Sequence, residues 1–396
     1  MIAGLESLEA RFAEREPSVQ AFLPEEGRFE RLRREAGSLD LLLGVKDIFH
    51  VDGFPTRAGS RLPPEELRGP EGPAVAALRR HGALIVGKTV STEFAYFAPG
   101  PTRNPHDPER TPGGSSSGSA AAVAAGLCTL ALGTQTIGSI TRPAAFCGVV
   151  GFKPSYGRIS TEGVIPLAPS LDHVGTFTAD VAGAARAAGI LCEDWKPAEP
   201  SRRPVLGIPE GPYLDRPSEE GSAHFRAACR RLADAGFEVR SAPAMPDFEE
   251  IVTRHRRLVA AEAARVHRDW FPRFRDLYAP QTVELIERGQ PVTEEEMERD
   301  RAGRDKLRRE LTAAMDAHGI DLWISPPALG PAPRGLGNTG DPIMNLPWTH
   351  AGLPTLGIPA GLSAERMPMG LQVAGRWWED AALLAWGIDI ERALRS

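Results

Sequence analysis

The sequence has 396 residues, of which 42% are hydrophobic and 25% charged, values that are ordinary for a globular protein with a large core. Its formal net charge of −6 argues against a basic surface that binds nucleic acid or an anionic membrane. The cysteines are scattered and the histidines show no metal-ligand spacing. We therefore expect reduced thiols, a soluble cytosolic protein, and neither a metal nor an organic cofactor.

Helix and strand signals alternate through the first half of the chain. They predict one or two helices in residues 1–37, a strand at 41–45, a helix at 74–80, a strand at 83–86, a helix from about residue 120 and a strand at 129–132. The first helix is charged and amphipathic, unlike a signal peptide. The most apolar run, residues 120–132, is shorter than the roughly 20 residues of a membrane helix. The alternation favours an α/β domain whose mixed or parallel sheet is covered by helices.

The middle of the chain, residues 218–316, is predicted to be a helical insertion. It is rich in Arg and Glu and lacks strand signals except around residues 237–239, and strand patterns return only from residue 322. We therefore expect one domain over residues 1–396, in which this insertion helps to form a substrate pocket.

Two Gly/Ser-rich turns and one strand-end lysine are the candidates for catalysis. Ser115 lies in the run 113–119, Ser139 ends the run 133–139, and Lys46 ends an apolar strand. A serine hydroxyl needs a neighbouring base to act as a nucleophile, and desolvation lowers the pKa of a lysine until it can be that base. Taken singly, a strand-end lysine is more often a surface or ion-pair residue, and such a serine is more often part of a plain turn.

Together these residues resemble the amidase signature family. The run 113–124, Gly138-Ser139 and Arg142-Pro143-Ala144 carry the resemblance, and the spacing of Lys46, Ser115 and Ser139 fits it. Further matches lie at residues 44–47, 104–108, 151–158, 170–172, 351–354 and 370–372. In motif the chain is most similar to small-amide hydrolases of the malonamidase and biuret hydrolase type.

The resemblance implies a fold and a mechanism. The fold would be one α/β/α domain around a large, mixed, twisted β-sheet. Neutral Lys46 would take a proton from Ser115, which takes one from Ser139, and Ser139 would attack the amide carbonyl to form an acyl-enzyme. The family also has a cis peptide bond before the bridging serine, here Gly114–Ser115. The expected reaction is hydrolysis of a small amide with release of ammonia or an amine.

The oxyanion would be held by backbone N–H groups of the second turn, from Thr136, Ile137, Gly138 and Ser139. The sequence departs from the family pattern at three positions: Ser117 where glycine is usual, Gln135 where aspartate is common, and Ile137 where a small residue is frequent. A β-branched residue resists positive φ, so Ile137 is expected to keep the donors but to narrow the pocket.

Arg142 is the candidate for binding the substrate, since its planar fork suits a carboxylate or carbonyl. An arginine at this place has that role in small-diamide members of the family, which favours malonamate, biuret or allophanate as substrate. A structural ion pair with Asp172 is an equal alternative. An aryl or fatty amide is the competing substrate, with Trp348 and the helices of residues 246–316 forming either an apolar pocket or plain core.

Other functions remain as alternatives. Residues 82–89 fit the phosphate-loop pattern, but their middle is an apolar strand that cannot curl around a phosphate. Residues 114–118 fit the GxSxG elbow of a Ser-His-Asp α/β-hydrolase, although that elbow follows a strand and residues 104–112 contain three prolines. A homodimer, a catalytically inactive binding protein, and an amidotransferase-type subunit that releases ammonia within a larger complex are also compatible with the sequence.

Overall fold

The computed structural model describes residues 2–35 and 38–395. The helices are α1 (Ile2–Val19), α2 (Arg28–Glu35), α3 (Pro73–Arg80), α4 (Ser117–Ala124), α5 (Thr141–Cys147), α6 (Val181–Leu191), α7 (Glu219–Asp234), α8 (Phe248–Val266), α9 (Phe271–Phe274), α10 (Pro280–Gly289), α11 (Glu294–His318), α12 (Leu346–His350) and α13 (Asp380–Arg395). The strands are β1 (Ser38–Lys46), β2 (Ala83–Thr89), β3 (Leu130–Gln135), β4 (Val150–Lys153), β5 (His173–Thr178), β6 (Val205–Glu210), β7 (Glu238–Pro243), β8 (Leu322–Ser325), β9 (Thr355–Leu362) and β10 (Pro368–Ala374).

All of these strands join one mixed sheet in the order β2-β1-β3-β5-β4-β9-β10-β8-β6-β7. Strand β1 runs parallel to β2 and β3, and β6 runs parallel to β7 and β8. The central pairings, from β3–β5 to β10–β8, are antiparallel. This arrangement confirms the predicted α/β class with one large mixed sheet.

The parallel strands β1, β2 and β3 each end in a polar residue at the same side of the sheet. Strand β3 is buried along its whole length and β2 along all but its first residue, as expected for parallel strands covered on both faces. Their carboxyl ends are Lys46, Thr89 and Gln135. Since parallel strands end at the same side of a sheet, the candidate lysine and the turn that leads to Ser139 lie there, and a hydrogen bond from Lys46 brings Ser115 to the same place.

The Gly/Ser run attaches the start of α4 to this edge. Ser116 Oγ donates to the carbonyl oxygen of Thr134 at 3.1 Å and accepts from its N–H at 3.2 Å. Ser119 Oγ donates to the carbonyl oxygen of Leu132 at 2.8 Å. A Cβ on Gly118 would lie 2.2 Å from the carbonyl oxygen of Ala21. Two serines therefore bind β3 directly, and the glycine permits close backbone packing.

The phosphate-loop pattern of residues 82–89 lies mostly in strand β2, as the sequence indicated. Lys88 Nζ forms an ion pair with Asp47 at 2.9 Å and donates to the carbonyl oxygen of Phe49 at 2.7 Å. Both members of the pair are buried. Lys88 therefore balances a carboxylate of the core and does not face a loop that could hold a phosphate.

The helical middle segment is shorter than the predicted 218–316. Strand β7 pairs with β6 at the sheet edge, and α7 packs on β7 and α13, so both belong to the α/β frame. The stretch without strands runs from α8 to α11, where α8 packs against α10 and α11. Within residues 2–35 and 38–395, no helix combines the length and apolarity needed to cross a bilayer.

We predict that Gly118→Ala lowers the free energy of unfolding by about 1–3 kcal/mol, because the new methyl group overlaps backbone atoms that cannot move independently. Gly337→Ala is the matched control, since a Cβ there meets nothing within 4 Å. Denaturant titration of the two variants beside wild type measures both effects. Equal midpoints for Gly118→Ala and wild type would contradict the packing argument.

Candidate active site

Lys46 lies in the protein interior between two hydroxyl groups. Its Nζ is 2.8 Å from Ser115 Oγ and 2.8 Å from Thr134 Oγ1, and the side chain is fully buried. Burial holds the pKa of Lys46 well below its ordinary value, and the negative charge of Asp172 opposes this shift. A lowered pKa favours the neutral amine, and a neutral amine can accept a proton from the adjacent Ser115 hydroxyl.

Ser115 is held in place by its backbone. The Gly114–Ser115 peptide bond is cis, as the family resemblance implies. The carbonyl oxygen of Ser115 accepts from the N–H of Thr92 at 3.1 Å, and that of Gly114 accepts from Arg142 at 2.6 Å. The hydroxyl of Ser115 is therefore presented to Lys46 by a backbone that is fixed on both sides of the residue.

Ser139 lies in the turn between β3 and α5. The side chain is 7% exposed, and among the residues that the structure describes none forms a hydrogen bond with its hydroxyl. Within the same residues, the backbone N–H groups of Ile137, Gly138 and Ser139 have no protein acceptor. The turn therefore offers an uncommitted hydroxyl beside three uncommitted donors. Ile137 is not at positive φ, so its β-branched side chain fits without backbone strain.

Gln135 fixes both ends of this turn. Its Oε1 accepts from the N–H of Ile140 at 2.8 Å and from the N–H of Thr141 at 3.1 Å. Its Nε2 donates to Thr349 Oγ1 at 2.9 Å, and Thr349 in turn donates to the carbonyl oxygen of Ile137 at 2.7 Å. A neutral amide thus supplies, at the position where aspartate is common, both an acceptor and a donor.

The last third of the chain packs against the same turn. A Cβ on Gly138 would lie 2.3 Å from Asn345 Oδ1, so only glycine fits there. Asn345 Nδ2 donates to Thr141 Oγ1 and to Gln372 Oε1, each at 2.9 Å. The turn that contains Ser139 is therefore fixed by Asn345, directly before α12, and Asn345 is itself bonded to Gln372 of β10. Both residues lie far from this turn in the sequence.

Asp172 lies next to the buried lysine and has its own hydrogen-bond partners. Its Oδ1 accepts from Thr136 Oγ1 at 2.5 Å, and its Oδ2 accepts from the N–H groups of Leu167 and Ala168 at 2.9 and 3.0 Å. Burial raises the pKa of Asp172 to about 7, although these hydrogen bonds oppose the shift. The predicted ion pair between Arg142 and Asp172 is therefore wrong, because the carboxylate is bonded elsewhere.

Arg142 is 1% exposed and binds the protein's own oxygen atoms. It donates to the carbonyl oxygens of Gly114 and Gly340, and to Thr339 Oγ1 at 3.3 Å. Burial lowers the pKa of Arg142 to about 10, and Asp341 partly offsets this. The predicted contact between Arg142 and substrate stays a prediction. The contacts present connect the carbonyl oxygen next to Ser115 with the loop at residue 340.

Sequence reasoning missed Thr134, the second partner of Lys46. A signal is present in the sequence, because Thr134 in β3 and Thr136 directly after the strand are hydroxyl residues two positions apart. Thr134 accepts a hydrogen bond from Lys46, and Thr136 donates one to Asp172. Of the two alternatives for Trp348, apolar pocket or plain core, the structure favours the core: this side chain is fully buried, and its Nε1 donates to the hydroxyl of Tyr213 at 3.0 Å.

A cavity of about 550 Å³ opens beside the nucleophile turn, with Ile137 in its wall. The segment from residue 337 to 343 and helices α8 and α10 contribute to its wall. The middle segment therefore lines a cavity, and its part in a substrate pocket stays a prediction. The lining residues are Tyr96, Phe97, Ile137, Arg256, Val259, Gln281, Arg288, Gly337, Asn338, Thr339, Gly340, Asp341, Pro342, Ile343 and Leu346.

Comparison with known proteins identifies this arrangement. The model of the Amidase family matches residues 33–384. The chain belongs to the amidase family. A crystal structure of an amidase superposes on this amidase with a TM-score of 0.87 at 38% identity, covering 98% of this chain and 95% of the other. Together these matches show that the chain is an amidohydrolase.

Two relatives of this amidase carry different names. A glutamyl-tRNA(Gln) amidotransferase subunit from Nitratidesulfovibrio vulgaris (strain DP4) is 32% identical over 97% of this chain and 92% of its own length. The 2-amino-5-chloromuconic acid deaminase of Comamonas testosteroni is 32% identical over 98% of this chain and 92% of its own length. The family is thus established, and such relatives leave the substrate open.

We predict that Gln135→Met lowers kcat by at least about tenfold, because two buried N–H groups of the nucleophile turn lose their acceptor at about 1–3 kcal/mol each. Gln135→Glu keeps an acceptor at the same position and is the matched control, with a smaller loss expected. Steady-state kinetics and the unfolding midpoint are measured for both. A stable Gln135→Met enzyme with wild-type kcat would show that the turn does not depend on this side chain.

Proposed function

We propose that this amidase hydrolyses the carbon–nitrogen bond of a small amide through an acyl-enzyme on Ser139, with Ser115 and Lys46 as the proton relay. The observation that carries the proposal is the Lys46 amine, which is buried between two hydroxyls. Within the described part of the chain it has no carboxylate partner within ion-pair distance. A lysine in that state serves as a base and contributes little as a fixed charge.

The relay moves one proton in each half-reaction. Neutral Lys46 accepts the Ser115 proton while Ser115 Oγ accepts the Ser139 proton, and Ser139 Oγ attacks the carbonyl carbon. The Lys46 ammonium then returns the proton through Ser115 to the leaving nitrogen, and ammonia or an amine departs. Water repeats the cycle on the ester carbonyl, releasing the acid and restoring the Ser139 hydroxyl.

The oxyanion is the second charge that the site must stabilise. The uncommitted N–H groups of Ile137, Gly138 and Ser139 support an oxyanion hole, together with Thr136 as predicted from the resemblance. Such donors act strongly because they are fixed before the reaction and lie away from bulk water. The contacts from Gln135 and Asn345 keep them in that arrangement.

A small amide fits the space that is available. Cavities of about 300–1,000 Å³ hold drug-sized or smaller ligands, and this one measures about 550 Å³. The deaminase of Comamonas testosteroni is named for an acid, and an acid bearing an amide or amine is accordingly among the substrates to test. Malonamate, biuret and allophanate are also substrates to test, because the contact between Arg142 and substrate stays a prediction.

A second candidate is an amidotransferase-type subunit that releases ammonia only within a larger complex. Similarity to the glutamyl-tRNA(Gln) amidotransferase subunit of Nitratidesulfovibrio vulgaris favours it. Ammonia release by the isolated chain separates the two candidates. The α/β-hydrolase alternative has less support, because the Ser116 hydroxyl is bonded to the backbone of Thr134 and to no histidine.

We predict that Ser139→Ala, Ser115→Ala and Lys46→Ala each reduce amide hydrolysis by at least about 10³-fold, because each removes a member of one relay. Ser117→Ala is the matched control from the same Gly/Ser run, since Ser117 Oγ makes only a 3.4 Å contact with the carbonyl oxygen of Val90. Ammonia release and the mass of the trapped acyl-enzyme are measured. Substantial activity in Ser139→Ala would place the nucleophile elsewhere.

We predict that Asp172→Asn moves the acid limb of the kcat/KM profile to lower pH. Burial depresses the pKa of Lys46 and the Asp172 charge opposes this, so removing that charge lowers the Lys46 pKa further. Hydrolysis needs neutral Lys46 and is lost as pH falls through this pKa. Asp215→Asn, at an exposed acid outside the cavity wall, controls for net charge. An acid limb unchanged in Asp172→Asn would contradict the assignment of that limb to Lys46.

A further inference from the structure

Two arginines of the middle segment face the cavity without an acidic partner. Arg256 on α8 and Arg288 on α10 both line it, and neither forms an ion pair with a residue in the described ranges. The neighbouring arginines of α8 behave differently. Arg254 pairs with Asp247, Arg257 with Asp300 and Arg265 with Glu294, at 2.9, 2.6 and 3.0 Å respectively. The helix thus balances its other guanidinium groups and leaves the one at the cavity without a counter-charge.

Helical periodicity explains how these side chains reach the cavity. Arg256 and Val259 are three positions apart on α8, and Gln281 and Arg288 are seven apart on α10, so each pair shares one helix face. Both pairs belong to the cavity wall. The two helices therefore present one guanidinium group each to the same space, beside apolar side chains.

The charges of both arginines act on one tyrosine that lines the same cavity. Burial raises the pKa of Tyr96, and the positive charges of Arg288 and Arg256 oppose that shift. Glu284, one helical turn before Arg288, acts on Tyr96 in the opposite sense but forms no ion pair with Arg288. This side of the cavity is therefore polar, positively charged and provided with several donors.

An acidic residue also lines the cavity. The carboxylate of Asp341 accepts from the N–H of Ile343 at 2.9 Å, and its negative charge partly offsets the lowering of the pKa of the buried Arg142. Ile137, two residues before Ser139, lines the same cavity. A bound molecule that extends from Ser139 towards α8 and α10 passes from the turn to an unbalanced positive charge.

We propose that Arg256 and Arg288 bind a carboxylate at the far end of the substrate, whose amide is cleaved at Ser139. The substrate class is the half-amide of a dicarboxylic acid. This rests on the proposed function. A guanidinium group binds a carboxylate through paired N–H donors in one plane, and two such groups with the Tyr96 hydroxyl supply more donors than one carboxylate needs. The assignment places substrate charge on the middle segment and leaves Arg142 to its protein contacts.

The test compares half-amides with uncharged amides of the same length. Succinamate, glutaramate and adipamate are paired with butanamide, pentanamide and hexanamide. Wild type is expected to favour the half-amides by kcat/KM. Arg256→Gln and Arg288→Gln should each raise KM for half-amides by about tenfold while leaving the uncharged amides unchanged. Arg309→Gln is the matched control, since this exposed arginine lies on α11 outside the cavity wall.

Two results would overturn the inference while leaving the amidase function intact. One is equal turnover of charged and uncharged amides. The other is a loss in the Arg256 and Arg288 variants that is the same for both kinds of amide. Either would show that these arginines do not bind a substrate carboxylate.

Binding separates this inference from the proposed function. Ser139→Ala, alone and combined with Arg256→Gln and Arg288→Gln, is titrated with adipamate by calorimetry at low and high ionic strength. Salt-sensitive binding that disappears in the combined variant supports the carboxylate site even if wild type hydrolyses no amide of the panel. Equal binding with and without the two arginines, or none at millimolar adipamate, overturns it.

Discussion

The burial of a lysine amine between two hydroxyls, with no ion pair to a carboxylate among the described residues, is the constraint on which the site depends. Lys46 is followed directly by Asp47, and a pairing between them would stabilise the ammonium and remove its basicity. Instead, Asp47 forms an ion pair at 2.9 Å with Lys88, which lies on the adjacent strand β2. Among the described residues, Ser115 and Thr134 are the hydrogen-bond partners of Lys46 Nζ. Burial lowers the pKa of both lysines, and the ion pair with Asp47 opposes this shift for Lys88.

The two serines need equally definite positions, and different parts of the chain supply them. Ser116 and Ser119 bind the backbone of β3, which fixes the start of α4 and with it the backbone next to Ser115. The turn of Ser139 is held by Gln135 within the first half and by Asn345 from the last third. Because these contacts join regions far apart in sequence, the site forms only when the sheet is complete. Activity and global folding are therefore expected to be lost together on denaturation.

Features that a sequence motif carries could be predicted, and the features that could not be predicted share one cause. Lys46, Ser115 and the cis bond before it could be placed because a specific run of residues carries them. The role of Gln135 and the contacts of Arg142 could not, since each depends on partners that only the tertiary fold brings near. The place of Trp348 could not be predicted from its residue type, because an indole is equally suited to a pocket and to the core. Its contact with Tyr213 shows that it belongs to the core.

The many arginines of the middle segment look alike in sequence and differ only in whether an acid lies nearby. Their positive charge also has to be compatible with a buried lysine that acts as a base. Positive charge near Lys46 lowers its pKa further, but Arg256 and Arg288 are exposed, so water and salt screen them strongly. The chemistry at the strand ends and the recognition on α8 and α10 are then nearly independent electrostatically. Substitutions in the helices could change which amide is accepted without disturbing how a proton leaves Ser139.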